Sequence, residues 1–154
     1  MKTLITILAL VLGSTGIYFS TSEDHRNCSC SGTFCSCSVS CLDEGEIPGC
    51  TCGVFSCICR CDPKDGTVSN DLILPTIDDN QNKNSENAEK YFRSVNYPQG
   101  VLIANNIKAL REAIKNGNVQ SYRSNSTAVE STYSNLSTAQ KSAYESWGTQ
   151  NLKR

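Results

Sequence analysis

The spacing of apolar and polar positions changes period near the middle of the chain. Between residues 35 and 41, Cys35, Cys37, Val39 and Cys41 alternate with Ser36, Ser38 and Ser40. Between residues 55 and 61 the same alternation sets Phe55, Cys57, Cys59 and Cys61 against Ser56, Ile58 and Arg60. Period two puts each set on one face of an extended strand, so both stretches predict strands with sulfur facing inward. Residues 31–34 (Ser31, Gly32, Thr33, Phe34) and 53–56 (Gly53, Val54, Phe55, Ser56) then become hairpin loops, each with a glycine suited to positive φ. The intervening "LDEGEIPG" reads as a turn on its glycines and Pro48.

Beyond residue 84 the period becomes helical. "SENAEKYFRSV" carries Ala88, Tyr91, Phe92 and Val95 on one side. Pro98 opens a stretch in which Ile103, Ile107, Leu110 and Ile114 form a helix stripe. Lys115 falls in its last turn and Gly117 just past its end, as a C-terminal cap. Thr127 with Glu130, and Ser137 with Gln140, have the spacing of capping boxes, which predicts helix starts at both. Val129, Tyr133, Leu136, Gln140, Ala143 and Trp147 follow a helical spacing interrupted at the second cap. Tyr91, Phe92, Tyr144 and Trp147 are the expected large core residues. Between the two regimes, "DPKDG" is a turn and "LILPTI", broken by Pro75, suits an edge strand or docking segment. "DDNQNKNSEN" reads as polar and mobile.

All 10 cysteines lie between residues 28 and 61 of the 154. Cys-x-Cys-x4-Cys-x-Cys occurs twice, as Cys28, Cys30, Cys35, Cys37 and, 22 residues on, Cys50, Cys52, Cys57, Cys59; Cys41 and Cys61 trail the copies. The repeat predicts two copies of one structural unit. A unit below about 40 residues cannot bury enough surface to hold itself together, so the sulfurs must do it. The chain opens "MKTLITILALVLGSTGIYFSTS", a positive start, a short apolar run and then small residues, which is the pattern of a secretory signal peptide. The run is shorter than the roughly 20 residues that span a bilayer, so no membrane span is expected once the signal is cleaved. An exported chain with an even cysteine count predicts five disulfides, their connectivity open.

The expected fold class is a small disulfide-rich β-hairpin module followed by a small all-α domain of three to four helices. The expected boundaries are a signal peptide at 1–22, the tandem cysteine-rich module at 23–61, a connector at 62–84 and the helical domain at 85–154.

A second use of the same ten cysteines has a spacing argument of its own. "CSCSGTFCSCSVSC" and "CGVFSCICRC" resemble metallothionein segments, a resemblance that implies thiolates bridging zinc or copper(I). The preferred reading has no cofactor and no metal. Residues 23–61 carry two basic and five acidic side chains, and residues 62–154 eleven basic and ten acidic. Neither half is basic enough to predict a nucleic-acid surface or a patch for anionic lipid. The only histidine, His25, lies near the expected mature N-terminus, and no HExxH, P-loop, GxGxxG or GxSxG motif occurs. An enzyme is not expected.

The function expected from these residues is exported, non-enzymatic and disulfide-stabilised binding of an extracellular or cell-surface protein or glycan. In a bacterium the place would be the periplasm or cell surface. Loops on a crosslinked scaffold bind with little ordering cost, which makes Ser31, Gly32, Thr33, Phe34, Gly53, Val54, Phe55 and Ser56 the candidate contacts, with Phe34 and Phe55 either exposed anchors or, the preferred reading, the module's few core residues. The alternatives are a metallothionein-like zinc or copper module and a small secreted toxin or antimicrobial.

Overall fold

The computed structural model describes residues 27–69 and 71–153, so the signal-peptide assignment at 1–22 lies outside the described residues. Two antiparallel hairpins come first. One pairs β1 (Asn27–Ser31) with β2 (Ser36–Ser40), and the other pairs β3 (Glu46–Cys52) with β4 (Cys57–Pro63). The hairpins lie face to face, β1 beside β3 and β2 beside β4, with the cysteine faces between them. The predicted alternation holds in β2: Cys35, Cys37, Val39 and Cys41 are buried, whereas Ser38 and Ser40 are exposed. Pro48 departs from its expected place in a turn. It sits inside β3, an edge strand, where a missing N–H costs no ladder bond.

The segment expected to be a connector is ordered. Leu72 and Ile73 form β5 (Leu72–Ile73) against β4, and Thr76 exchanges two backbone hydrogen bonds with Ser36 at 3.0 and 2.8 Å. "LILPTI" is thus an edge strand that ties both hairpins together. The polar run that follows is not a mobile linker but the start of α1 (Asp79–Ser94), six residues earlier than the boundary expected at 85. A capping box explains the start. The Asp78 side chain accepts from Gln81 N at 2.7 Å, and the Gln81 side chain accepts from Asp78 N at 3.0 Å.

Three more helices follow: α2 (Pro98–Lys115), α3 (Val119–Ser134) and α4 (Thr138–Asn151). The end of α2 is as expected. Gly117 has φ +68°, its N–H reaches Ile114 O at 3.2 Å, and Asn118 N reaches Ala113 O at 2.8 Å, a Schellman motif. The capping box at Ser137 and Gln140 also forms and opens α4. The box expected at Thr127 and Glu130 does not, because α3 runs through both residues without a break. Helix α1 packs on α2 and α2 on α3, and a run of rings joins α4 to α1: Tyr91 stacks on Trp147 at 4.6 Å, and Phe92 lies 4.7 Å from Tyr144. Tyr91 and Trp147 are only half-buried, and Ala143 faces solvent while Tyr144 turns inward.

One electrostatic contact between α1 and α2 is pH-sensitive. Arg111 donates to Glu89 and to Ser85 Oγ, and Arg93 donates to Glu89 Oε1 at 3.0 Å. Partial burial pushes the Glu89 carboxyl up, but the hydrogen bonds and charges of Arg111 and Arg93 together outweigh it and hold the carboxyl below its usual range. A depressed folded-state pKa contributes stability that is present above the unfolded value near 4.5 and is lost as pH falls through the folded value. Glu89→Gln should therefore flatten the acid limb of the stability curve below about pH 4.5. Urea midpoints measured from pH 7 to pH 3 check this, and an acid limb equal to that of the parent would refute it.

Candidate functional site

The chemistry of the chain concentrates in two places: the sulfurs between the hairpins, and the hairpin tips where they meet the helices.

Four disulfides cross from one hairpin to the other: Cys28–Cys50, Cys30–Cys52, Cys37–Cys59 and Cys41–Cys61. The first three join residues 22 apart, so each bridge links matching positions of the two copies. This corrects the expected five bridges to four, with Cys35 and Cys57 as buried free thiols. The reason lies in the turns. Gly32 N–H to Cys35 O closes the first turn at 2.8 Å, and Gly53 N–H to Ser56 O closes the second at 2.7 Å. The matching turn positions, Gly32 and Gly53, are one residue closer in sequence than the bridged cysteines. Cys35 therefore ends a turn, whereas Cys57 begins β4. The Cys57 thiol donates to the Cys35 carbonyl oxygen at 2.9 Å. The neighbouring Cys57 side chain first, and burial second, push the Cys35 thiol far above the ordinary thiol range, so it stays protonated.

Helix α3 closes over these thiols. The hydroxyl of Tyr122, which is fully buried, accepts from Cys57 N at 3.1 Å and donates to Cys57 O at 3.0 Å. Burial, with the nearby Cys35 sulfur, pushes the phenol well up, so it remains a donor at any physiological pH. Eight of the ten sulfurs that a thiolate cluster needs are committed to bridges. Cys30, Cys52 and Cys57 have their sulfurs within 4.8 Å of one another, but two of the three are bonded together. The other two such groups among the described residues, Cys30 with Cys37 and Cys59, and Cys41 with Glu46 and Cys61, likewise each contain a bonded pair.

The tips are the loops that the sequence marks as binding candidates; Phe34, Phe55 and Ser56 are buried, Gly32, Thr33 and Val54 half-buried, and Ser31 and Gly53 exposed. Phe34 and Phe55 are buried in one core with Phe92, Ile103, Ile107, Tyr122, Val129, Tyr133 and Tyr144. The rest of the first tip is held by amides of α1. Gln81 Nε2 donates to Gly32 O at 3.1 Å, Asn84 Nδ2 donates to Thr33 O at 3.0 Å, and Ser31 Oγ pairs with Ser36 Oγ. The second tip is held by a carboxylate of α3. Glu130 accepts from Val54 N at 3.1 Å, Phe55 N at 2.8 Å, Ser56 N at 3.1 Å and Ser56 Oγ at 2.9 Å. Successive backbone N–H groups aimed at one anion form a nest, and here the anion belongs to the same chain.

Neither tip glycine has the positive φ expected of it; among the described residues Gly66 and Gly117 do. Gly53 is needed for space instead, because a Cβ there would stand 2.4 Å from Glu130 Oε1. Sequence reasoning missed Glu130, Tyr122, Gln81 and Asn84 as tip-holding residues. Tyr122, Ser126, Val129 and Tyr133, all buried, are spaced four, three and four, and that longer stripe is the signal that α3 begins before Thr127.

Glu130→Ala should leave three backbone N–H groups and a hydroxyl short of their partner and cost about 2–4 kcal/mol, given charge-assisted bonds and partial burial. Gly53→Ala should cost less than this but act through the same bonds, so the two changes combined should be clearly sub-additive. Chemical denaturation of the single and double variants measures it. Full additivity would mean that the carboxylate does not hold the tip.

No family model, no curated protein and no solved structure matches this chain, so what it does has to be read from the disulfide frame and the clasped tips themselves.

Proposed function

We propose that this is an exported, non-enzymatic protein that presents a disulfide-locked surface to an extracellular or cell-surface protein or glycan. The observation that carries the reading is the set of four bridges between matching repeat positions. Bridges of this kind persist where the redox poise is oxidising, outside the cytosol. None of the helices among the described residues is long and apolar enough to cross a membrane, which is compatible with that placement. The polar side chains that reach the interior support a structural use: Gln81, Asn84 and Glu130 each bond backbone groups of the tips, and Tyr122 bonds the backbone of Cys57 at the start of β4.

Both tips bond the chain's own helices, which favours a contact on the loop between the hairpins. Leu42, 87% exposed in the loop between the hairpins and followed by Asp43 and Glu44, is the most open large apolar side chain among the described residues. The test begins with protein recovered from its native compartment without reductant. Its mass should lie two hydrogens per bridge below the reduced value, and its N-terminus should fall near residue 23. Labelled protein should then bind intact cells saturably, and Leu42→Asp should weaken that binding. Ten alkylatable thiols with co-purified zinc or copper would favour the metallothionein-like alternative instead.

A further inference from the structure

The two free thiols do not stand apart from the bridges. The Cys57 sulfur lies 3.2 Å from the sulfur of Cys52, which is bonded to Cys30, and the Cys30 sulfur lies 3.7 Å from that of Cys37, which is bonded to Cys59. Five sulfurs therefore form one continuous row: Cys57, Cys52, Cys30, Cys37 and Cys59. The strand register adds an independent observation. Cys52 is directly opposite Cys57 in the β3–β4 pair, and Cys30 is directly opposite Cys37 in the β1–β2 pair. Each non-bonded contact in the row thus joins cross-strand partners within a hairpin, while each bond joins one hairpin to the other.

We propose that Cys57 is the entry point of an internal thiol–disulfide exchange centre that moves the Cys30–Cys52 bridge to Cys52–Cys57. In this step the Cys57 sulfur attacks Cys52, the Cys30–Cys52 bond breaks, and Cys30 leaves with the pair of electrons and takes up the proton that Cys57 gives. One disulfide and one thiol are consumed and one of each is formed, so no oxidant or reductant enters. A second step of the same kind carries Cys30 onto Cys37 and releases Cys59. The product has two hairpins that are each bridged internally, and they remain joined by Cys28–Cys50 and Cys41–Cys61 alone.

Burial decides which exchange occurs. Cys57 is 1% exposed and Cys35 3%, so an external thiol or disulfide has no approach, and the sulfur within reach of Cys57 is the neighbouring bridge. The backbone of Cys57 is held on both sides by Tyr122, so helix α3 fixes the position of the attacking sulfur. Loosening that grip by Tyr122→Phe should raise the rate of exchange with outside reagents at the expense of the internal one.

The experiment uses the full chain after signal removal, purified without reductant and held in mildly alkaline buffer. Samples taken over time are quenched in acid, unfolded, alkylated and mapped by mass spectrometry without reduction. The starting material should be labelled at Cys35 and Cys57. Label should then move from Cys57 to Cys30, and later to Cys59, as a Cys52–Cys57 linked peptide appears, with the total still at two labels per chain. The rate should not depend on protein concentration. Cys57→Ser should freeze the Cys30–Cys52 bridge, and Cys35→Ser should leave the exchange running. The proposal fails if label stays on Cys35 and Cys57 throughout, or if the purified chain already carries a Cys35–Cys57 bond. It shares the four-bridge frame with the proposed function but is separable from it: ten free thiols at the start would sink both, whereas four fixed bridges would sink the exchange alone.

Discussion

Reducing all four bridges should unfold the helices together with the hairpins. Closing a loop of 22 residues contributes roughly 3 kcal/mol by chain entropy. The inner bridges close smaller loops inside a ring already formed, so each adds less. Their combined effect still rivals the about 5–15 kcal/mol that holds an ordinary domain. If hairpins and helices were independent, this loss would stop at residue 63. The structure predicts otherwise, because Phe34 and Phe55 lie in the same core as Phe92 and Tyr144, and Glu130 is bonded to the second tip. Without folded tips the helices lose the side chains that fill the centre of their bundle. The single tryptophan, Trp147, stacks on Tyr91 and Tyr144 and reports on that bundle. Addition of a strong reductant should redshift its emission and remove most of the helical ellipticity at the same reductant concentration. Helical signal that survives with an unchanged tryptophan spectrum would show that the helices need neither tip.

How much of this was legible in the sequence depends on the range of the interaction involved. Alternation of Cys37, Val39 and Cys41 with serines, and the stripe from Ile103 to Leu110, are local patterns, and both read correctly because burial imposes the period of the element itself. Local caps were legible where the motif stood at a true boundary, as at Ser137, and misleading where it did not. Thr127 and Glu130 have capping-box spacing, yet the glutamate side chain serves a loop more than seventy positions earlier in the chain. Nothing within a few residues of Glu130 encodes that partner. The same holds for the run after Asp78, whose polarity suggested mobility. Gln81 and Asn84 are polar because they bond backbone groups of the first tip while buried. The repeat made the bridge pattern nearly readable, but the one-residue offset between the turns, which parts Cys35 from Cys57, shows only in the strand register. The candidate loops were located correctly as hairpin tips, and the reading of Phe34 and Phe55 as core residues rather than exposed anchors holds, although what packs above them lies far away in the chain.

Phe55→Ala should be the most damaging single replacement at the tips, with an expected cost of about 3–5 kcal/mol for emptying a buried phenylalanine site. The ring lies 5.4 Å from Phe34, 5.7 Å from Phe92, 5.3 Å from Tyr133 and 5.6 Å from Tyr144, so it touches the first tip and three helices at once. Edge-to-face contacts of this kind add to the burial of area itself. Phe34 has one close ring partner, Phe55, and Phe34→Ala should therefore cost less. Phe55→Leu keeps most of the volume and loses the ring geometry, so it should fall between the parent and the alanine variant. Urea unfolding followed by Trp147 emission orders the three. The decisive comparison is a double-mutant cycle between Phe55→Ala and Phe92→Ala, residues 37 positions apart that meet edge-on. A coupling of at least about 0.5 kcal/mol is expected for residues in contact. Simple additivity, or a Phe55→Ala cost no larger than that of an exposed residue, would mean that the tip does not enter the bundle. In that case the hairpin loops would be returned to the surface, free to meet a partner.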